Sequence, residues 1–185
     1  MLNRNYRNAA EVIRHALTVV SDDRFDDLES EPEPGARAVE VERPGGQVAT
    51  VACDNQQSQR AVLIHALRWT IDHGTRPGDI AVLTSSNHKA TEWHDALTAA
   101  GVPATFLREY DGHTVDAVKV GTYQRAKGLE FACVFLPDHD QAVPARGPDE
   151  TDDAYRDRAE LQRRQLFVAM TRARDRLWLG SVKPI

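Results

Sequence analysis

Val120-Gly121-Thr122-Tyr123-Gln124-Arg125-Ala126-Lys127-Gly128-Leu129-Glu130-Phe131 runs a strand into a polar turn and then directly into a continuous apolar stretch, Phe131 to Leu136. Turns at strand ends are where open α/β sheets hold ligands. Gly128 permits close backbone approach, and Glu130 can accept hydrogen bonds from sugar hydroxyls. As plain surface features, Lys127 and Glu130 would instead be an ion pair and Gly128 a turn residue.

Working outward, Ala117 to Gly121, Ala104 to Leu107 and Ile80 to Leu83 read as short apolar strands. Helical periodicity covers Ser58 to His73, closed by Gly74, and His88 to Ala100, closed by Gly101. Ala38 to Val41 and Gln47 to Ala52 alternate around Pro44-Gly45-Gly46 as two strands about a turn. Asn8 is placed to cap a first helix, with Glu11 completing a capping box and Val12, Ile13, Ala16, Leu17 and Val20 on one face. Downstream, Arg158 to Met170 reads as a helix and Leu177 to Leu179 as a last strand. Trp69 and Trp93 fall in helices and Trp178 in a strand, so all three are expected in the core. Strands alternating with helices predict one α/β domain over residues 1–185, with a mostly parallel sheet and helices on its faces.

The 185 residues are 41% hydrophobic, ordinary for a globular domain. No apolar run exceeds the six residues Phe131 to Leu136, far short of a membrane span, and the opening Met1-Leu2-Asn3-Arg4 does not read as a signal peptide. Two cysteines, Cys53 and Cys133, are too few for a disulfide scaffold or a four-ligand zinc site. The expectation is a reduced, cytoplasmic protein with no membrane partner. Net charge is −5 but unevenly spread. Acids crowd residues 21–37, which read as a mobile loop, and 138–153, whereas seven arginines between Arg156 and Arg176 face only Asp157, Glu160 and Asp175. That basic stretch suits phosphate contact, or else is a solvated helix face.

A phosphate-cradling Gly-x-x-x-x-Gly-Lys-Ser/Thr loop is missing, as are a Gly-x-Gly-x-x-Gly fingerprint and a Gly-x-Ser-x-Gly elbow. The seven histidines follow no metal-ligand spacing, and no residue is assigned to a metal. Two further segments stand out. Asn5-Tyr6-Arg7 precedes the first helix. Arg163-Arg164-Gln165-Leu166-Phe167-Val168-Ala169-Met170-Thr171-Arg172-Ala173-Arg174 carries a core-facing stripe into an arginine cluster. Arg172 sits where the apolar helix ends, its backbone anchored by Phe167 and Met170 and its head expected to be free.

With the 120–131 segment, these resemble in order motifs IV (residues 5–7), V (120–131) and VI (163–177) of superfamily 1 helicases of the UvrD/Rep type. Lys127 to Phe131 and Thr171 to Ala173 carry the resemblance; Ile80 to Leu83 with Ser86-Asn87 resemble the strand and helix after motif IV. The resemblance extends over nearly the whole chain. It implies the second RecA-like motor domain, a three-layer fold of the P-loop NTPase type lacking its own Walker A loop. It further implies Arg7 and Arg172 as catalytic arginines reaching the γ-phosphate across an ATP cleft. Glu130 would meet the ribose with Gly128 beside it, and Thr122, Tyr123, Gln124 and Arg125 would lie at single-stranded DNA. ATP with Mg2+ would be held mainly by the first motor domain, expected upstream in the same polypeptide, and the chain alone would be inactive. Two departures stand out: Gln124 replaces the family's common His, and the large inserted subdomain shrinks to Arg108 to Thr114. The competing readings are a non-catalytic nucleic-acid or protein interaction module, and a metal-dependent nuclease using the 138–153 acids.

Overall fold

The computed structural model describes residues 4–5, 8–20, 24–25, 33–34, 40–41, 43–113, 115–141 and 145–183. Its elements, in chain order, are β1 (Arg4–Asn5), α1 (Ala10–Val19), β2 (Arg24–Phe25), β3 (Glu33–Pro34), β4 (Glu40–Val41), β5 (Gln47–Cys53), α2 (Gln56–Asp72), β6 (Ile80–Thr84), α3 (Asn87–Ala99), β7 (Ala104–Phe106), β8 (Val118–Thr122), β9 (Phe131–Leu136), α4 (Asp152–Met170) and β10 (Ala173–Val182). The main sheet has the order β5-β10-β9-β6-β8-β7, and every neighbouring pair in it is parallel. Of the acidic stretch 21–37, all but β2 and β3, which pair with each other, lies outside the described residues.

Period-two alternation divides the central strands between two helical layers. Ala81 and Leu83 of β6, Val134 and Leu136 of β9, and Leu177 and Leu179 of β10 pack with Val12 and Ala16 of α1 and with Leu166, Ala169 and Met170 of α4. Ile80, Val82, Cys133, Phe135 and Trp178 turn the other way, onto Leu63 and Leu67 of α2 and Ala90, Trp93 and Leu97 of α3. Strands covered on both faces must read as nearly continuous apolar runs, which is why β6 and β9 were legible. The expected three-layer α/β domain is what the chain forms.

Several expectations need correction. Asn8 does not cap α1. The cap position is Ala9, without a side-chain bond, and the first helical amides donate to a loop instead, Ala10 N to Arg43 O at 2.9 Å and Glu11 N to Gly45 O at 3.1 Å. The Pro44-Gly45-Gly46 turn is therefore a helix cap and not a hairpin: β5 pairs with β10, and β4 with β1. Gly46 sits at φ +93, where an added Cβ would lie 2.6 Å from the Ala9 Cβ, so only glycine fits there. Trp93 and Trp178 are buried, but Trp69 is 46% exposed. The sheet-facing stripe of α2 is Gln59, Leu63, Leu67 and Thr70, and Trp69 falls beside it, stacked on His73 one turn later.

Two elements outrun their sequence signal. Helix α4 begins six residues before Arg158, capped by Thr151, because Arg158 grips Glu150 through both oxygens at 2.7 Å and fixes the incoming loop. That grip holds the Glu150 carboxyl down at about 2. Strand β10 begins at Ala173, which pairs with Phe131 of β9; after an irregularity across Arg174 and Asp175, pairing with both β9 and β5 runs on from Arg176. The arginine-rich stretch is also largely neutralised: Arg156 meets Asp153, Arg158 meets Glu150, Arg164 meets Glu160 and Arg174 meets Asp175. It is not a bare basic surface. The 138–153 acids are likewise held apart, Asp138 against Lys89, Asp152 against Arg146 and Asp153 against Arg156.

The amide of Asn8 ties the chain's two ends together. Its Nδ2 donates to Thr171 O at 2.7 Å and Ala173 O at 2.6 Å, in a buried position. Asn8→Ala strands both carbonyls, so stability should fall by about 2 kcal/mol, a loss of roughly 4–8 °C in Tm for a domain of this size. Thermal and urea unfolding followed by circular dichroism would check this, and an unchanged midpoint would contradict it.

Candidate functional site

The parallel sheet has two working edges, and the segment between β8 and β9 touches both. At the amino ends of β9 and β10, Phe131 N donates to Arg172 O at 3.0 Å. Arg172 in turn donates Nε to Val168 O at 3.0 Å, Nη1 to Leu129 O at 3.4 Å and Nη2 to Thr171 Oγ1 at 3.3 Å. The head of Arg172 is therefore docked on its own domain and not free, because the carbonyls of the last α4 turn and of Leu129 lie within its reach. Gly128 adopts φ +86, with open space where a Cβ would project. Glu130 is exposed, and beside it a cavity of about 360 Å3 opens among Arg76, Tyr110, His113 and Lys119. Gly128, Glu130 and Arg172 thus gather at one edge. Arg7 lies outside the described residues; Asn8, which follows it, is anchored at this edge by its bonds to Thr171 and Ala173.

Lys119 adds to the cavity wall from the buried strand β8. Its ammonium donates to Val115 O at 2.7 Å and Ala117 O at 3.0 Å. Burial lowers its pKa, against the opposing pull of Asp116 and Asp79.

At the carboxyl ends, β8 finishes on Thr122 and enters a series of turns. Tyr123 N donates to Thr84 O at 3.0 Å, Ala126 N to Thr122 O at 3.2 Å and Leu129 N to Ala126 O at 3.0 Å. Thr122 Oγ1 receives Arg125 N at 3.4 Å. Gln124 and Arg125 are exposed and, with Thr122, line a cavity of about 440 Å3 closed by Ser86, Asn87 and Gln165. Ser86 caps α3 by accepting from Lys89 N, so a helix amino terminus, with its partial positive charge, faces this cavity. Ser86 and Asn87 were readable as a helix start; Gln165 carried no signal as a wall residue.

Tyr123 does not belong with that exposed set. It is 3% exposed in the α1/α4 core, and its hydroxyl has no hydrogen-bond partner among the described residues. Burial, with Asp138 and Asp140 nearby, raises its pKa. Tyr123, Ala126 and Leu129 recur every third residue and pin the segment to the core, which makes the buried Tyr123 an anchor.

With this geometry in place, comparison with known proteins is informative. Residues 107–183 match the UvrD-like helicase C-terminal domain family. Over 73 residues it is 36% identical to a protein of Mycoplasma capricolum subsp. capricolum described as a probable DNA helicase II homolog, a match covering 40% of this chain and 10% of that relative. The chain thus corresponds to about a tenth of that relative's length. The fold is similar to the crystal structure of the C-terminal domain of a possible DNA helicase from Lactobacillus plantarum WCFS1, with a TM-score of 0.67 at 19% identity over 96% of this chain and 88% of that one. No helix among the described residues is long and apolar enough to cross a membrane.

The unpaired hydroxyl yields a prediction for this domain. Tyr123→Phe keeps the ring and removes a buried oxygen without a partner, so stability should hold or rise by up to about 1 kcal/mol. Guanidinium denaturation measures this; a loss of similar size would show that the hydroxyl is satisfied in solution.

Proposed function

We propose that this chain is the second motor domain of an ATP-dependent DNA helicase or translocase, working in the cytoplasm with a first motor domain and single-stranded DNA. One observation carries the reading. The stretch 122–130 has Thr122, Gln124 and Arg125 at the carboxyl edge and Gly128 and Glu130 at the amino edge. A shift at one edge is on this reading passed to the other through the eight residues 123–130, pinned to the core at Tyr123, Ala126 and Leu129.

The amino edge fits an anionic ligand bearing hydroxyls: a guanidinium, an exposed carboxylate and a glycine at φ +86 with clear space above it. On this reading Glu130 accepts from ribose hydroxyls, Gly128 allows the backbone to come close, and Arg172 and Arg7 direct charge at the γ-phosphate. ATP with Mg2+, held mainly by the first motor domain, supplies the phosphoryl group that is transferred to water. For Arg172 to contribute, its guanidinium must exchange the Val168 and Leu129 carbonyls for phosphate oxygens. A charged acceptor compensates for two neutral bonds because charge-assisted hydrogen bonds are the stronger. The same docked guanidinium is what favours the alternative, a motor fold kept only as an interaction module.

The two readings separate in the full-length protein. Arginine fingers contribute roughly 10³ to 10⁵ in turnover, so Arg172→Ala should lower DNA-stimulated ATP hydrolysis by at least about two orders of magnitude on that scale. Loss of its carbonyl bonds should cost about 1–2 kcal/mol of stability, so the comparison is made on variant protein verified as folded. Arg172→Lys should not restore the rate, since an ammonium lacks the planar fork. Normal turnover in folded Arg172→Ala protein would remove the finger role. The 185-residue chain by itself should show no steady ATP turnover.

At the other edge, the chain alone should bind oligo(dT) weakly, with affinity falling steeply as salt rises, because few phosphates are contacted. Fluorescence anisotropy across a salt series tests this. Arg125→Ala should flatten the slope, and tight binding indifferent to salt would count against the motor reading.

A further inference from the structure

The opposite margin of the sheet carries a feature that neither edge uses. Among the described residues, strand β5 is the last strand of the sheet and pairs on one side only, with β10. Exposed edges invite addition of another strand, and proteins ordinarily protect them with charge, proline, a bulge or brevity. β5 has none of these protections: it is seven residues of Gln-Val-Ala-Thr-Val-Ala-Cys, paired with β10 in unbroken register from Gln47 to Cys53.

At the Gln47 end of this strand lies a cavity of about 290 Å3 between α2 and the sheet. Its walls are largely aromatic and aliphatic, with Phe135 and Trp178 from the sheet and the exposed Trp69 as one lip. Trp69 is held by its stack on His73, ring centroids 3.9 Å apart. Arg176, paired in the sheet between Gln47 and Cys133, also lines the cavity. Its guanidinium lies 5.6 Å from the centre of the Trp69 ring, and its Nη1 is buried with no hydrogen-bond partner among the described residues. A buried guanidinium N–H left unpaired is costly unless an acceptor arrives from outside.

We infer that β5 and this cavity form a docking site for the carboxyl-terminal end of a partner protein, bound as an added strand. Main-chain bonds to an edge supply affinity, and a pocket for a side chain supplies specificity. The cavity sits where a strand running antiparallel to β5 comes to its end, so the last residue lies over it. Its volume takes one aromatic or large aliphatic side chain, and the terminal carboxylate is the acceptor that complements Arg176. An internal segment would have to carry its backbone on past the Gln47 end of the edge.

The test uses the 185-residue chain and peptides displayed with free carboxyl ends and seven randomised residues. Selection should enrich strand-forming sequences ending in Phe, Trp, Leu or Ile. A selected peptide, made synthetically, should lose at least about tenfold in affinity when amidated and on Arg176→Gln. It should also shift backbone NMR signals of residues 47–53. Trp69→Ala should weaken binding without changing the fold. If Arg176→Gln unfolds the protein, Arg176→Lys, which keeps the charge, and peptide amidation, which leaves the protein untouched, still decide the matter. Absence of a terminal consensus, equal binding of amidated and free peptides, displacement of the peptide by oligo(dT), or dimerisation of the chain through β5 would each overturn the proposal.

Discussion

The connection from β8 to β9 sets the terms for the rest of the structure. Both strands point the same way with β6 between them, so the chain must return across the length of the sheet before β9 can begin. Only residues 123–130 are available for that return. A strand of five or six residues is roughly 17–20 Å long, whereas an α-helix of eight residues spans only about 12 Å. The segment therefore cannot be the usual crossover helix. It takes successive looser turns and buries every third side chain, Tyr123, Ala126 and Leu129, under α1 and α4. Shortness makes it taut, and tautness gives two opposite sheet edges a common part.

A second constraint works through Asn8. Residues near the start of the chain have to meet residues near its end at one point, the junction of α4 and β10. A single carboxamide achieves this by donating to the carbonyls on either side of Arg172, while Ala9 N adds a third tie to Arg174 O at 3.0 Å. Those carbonyls lie where the helix ladder has ended and the strand ladder has not fully begun, so they need a donor from elsewhere. The backbone of Arg172 is thus held from α1 on one side and from Phe131 on the other, and its guanidinium reaches only what that frame presents.

Charge is organised with similar economy. Arg156, Arg158 and Arg164 are matched to carboxylates one helical turn away or across a short loop, and Arg174 to its neighbour Asp175. Arg172 and Arg176 differ: the first rests on carbonyl oxygens and the second lies over the ring of Trp69, its Nη1 without a partner among the described residues.

The layer architecture was readable from residue pattern alone, because strands buried on both faces leave apolar runs, and capped helices ending in Gly74 and Gly101 leave period and punctuation. The motif segments around Gly128, Glu130 and Arg172 were readable too, since local order places them at strand ends. Tertiary structure decided what depends on distant partners. Asn8 looked like a cap until carbonyls more than 160 residues away claimed its amide. Tyr123 looked like part of a polar turn until the taut crossover rotated its ring into the core, and Trp69 looked buried until Leu63, Leu67 and Thr70 took the sheet-facing side of α2. The charged start of β10 became strand because Ala173 pairs with Phe131 of β9 and Arg176 is laddered between Gln47 and Cys133. Periodicity records which face of an element is apolar; which atom meets which is settled only when the elements are packed, because hydrogen bonds and ion pairs form wherever the fold brings donors and acceptors within reach.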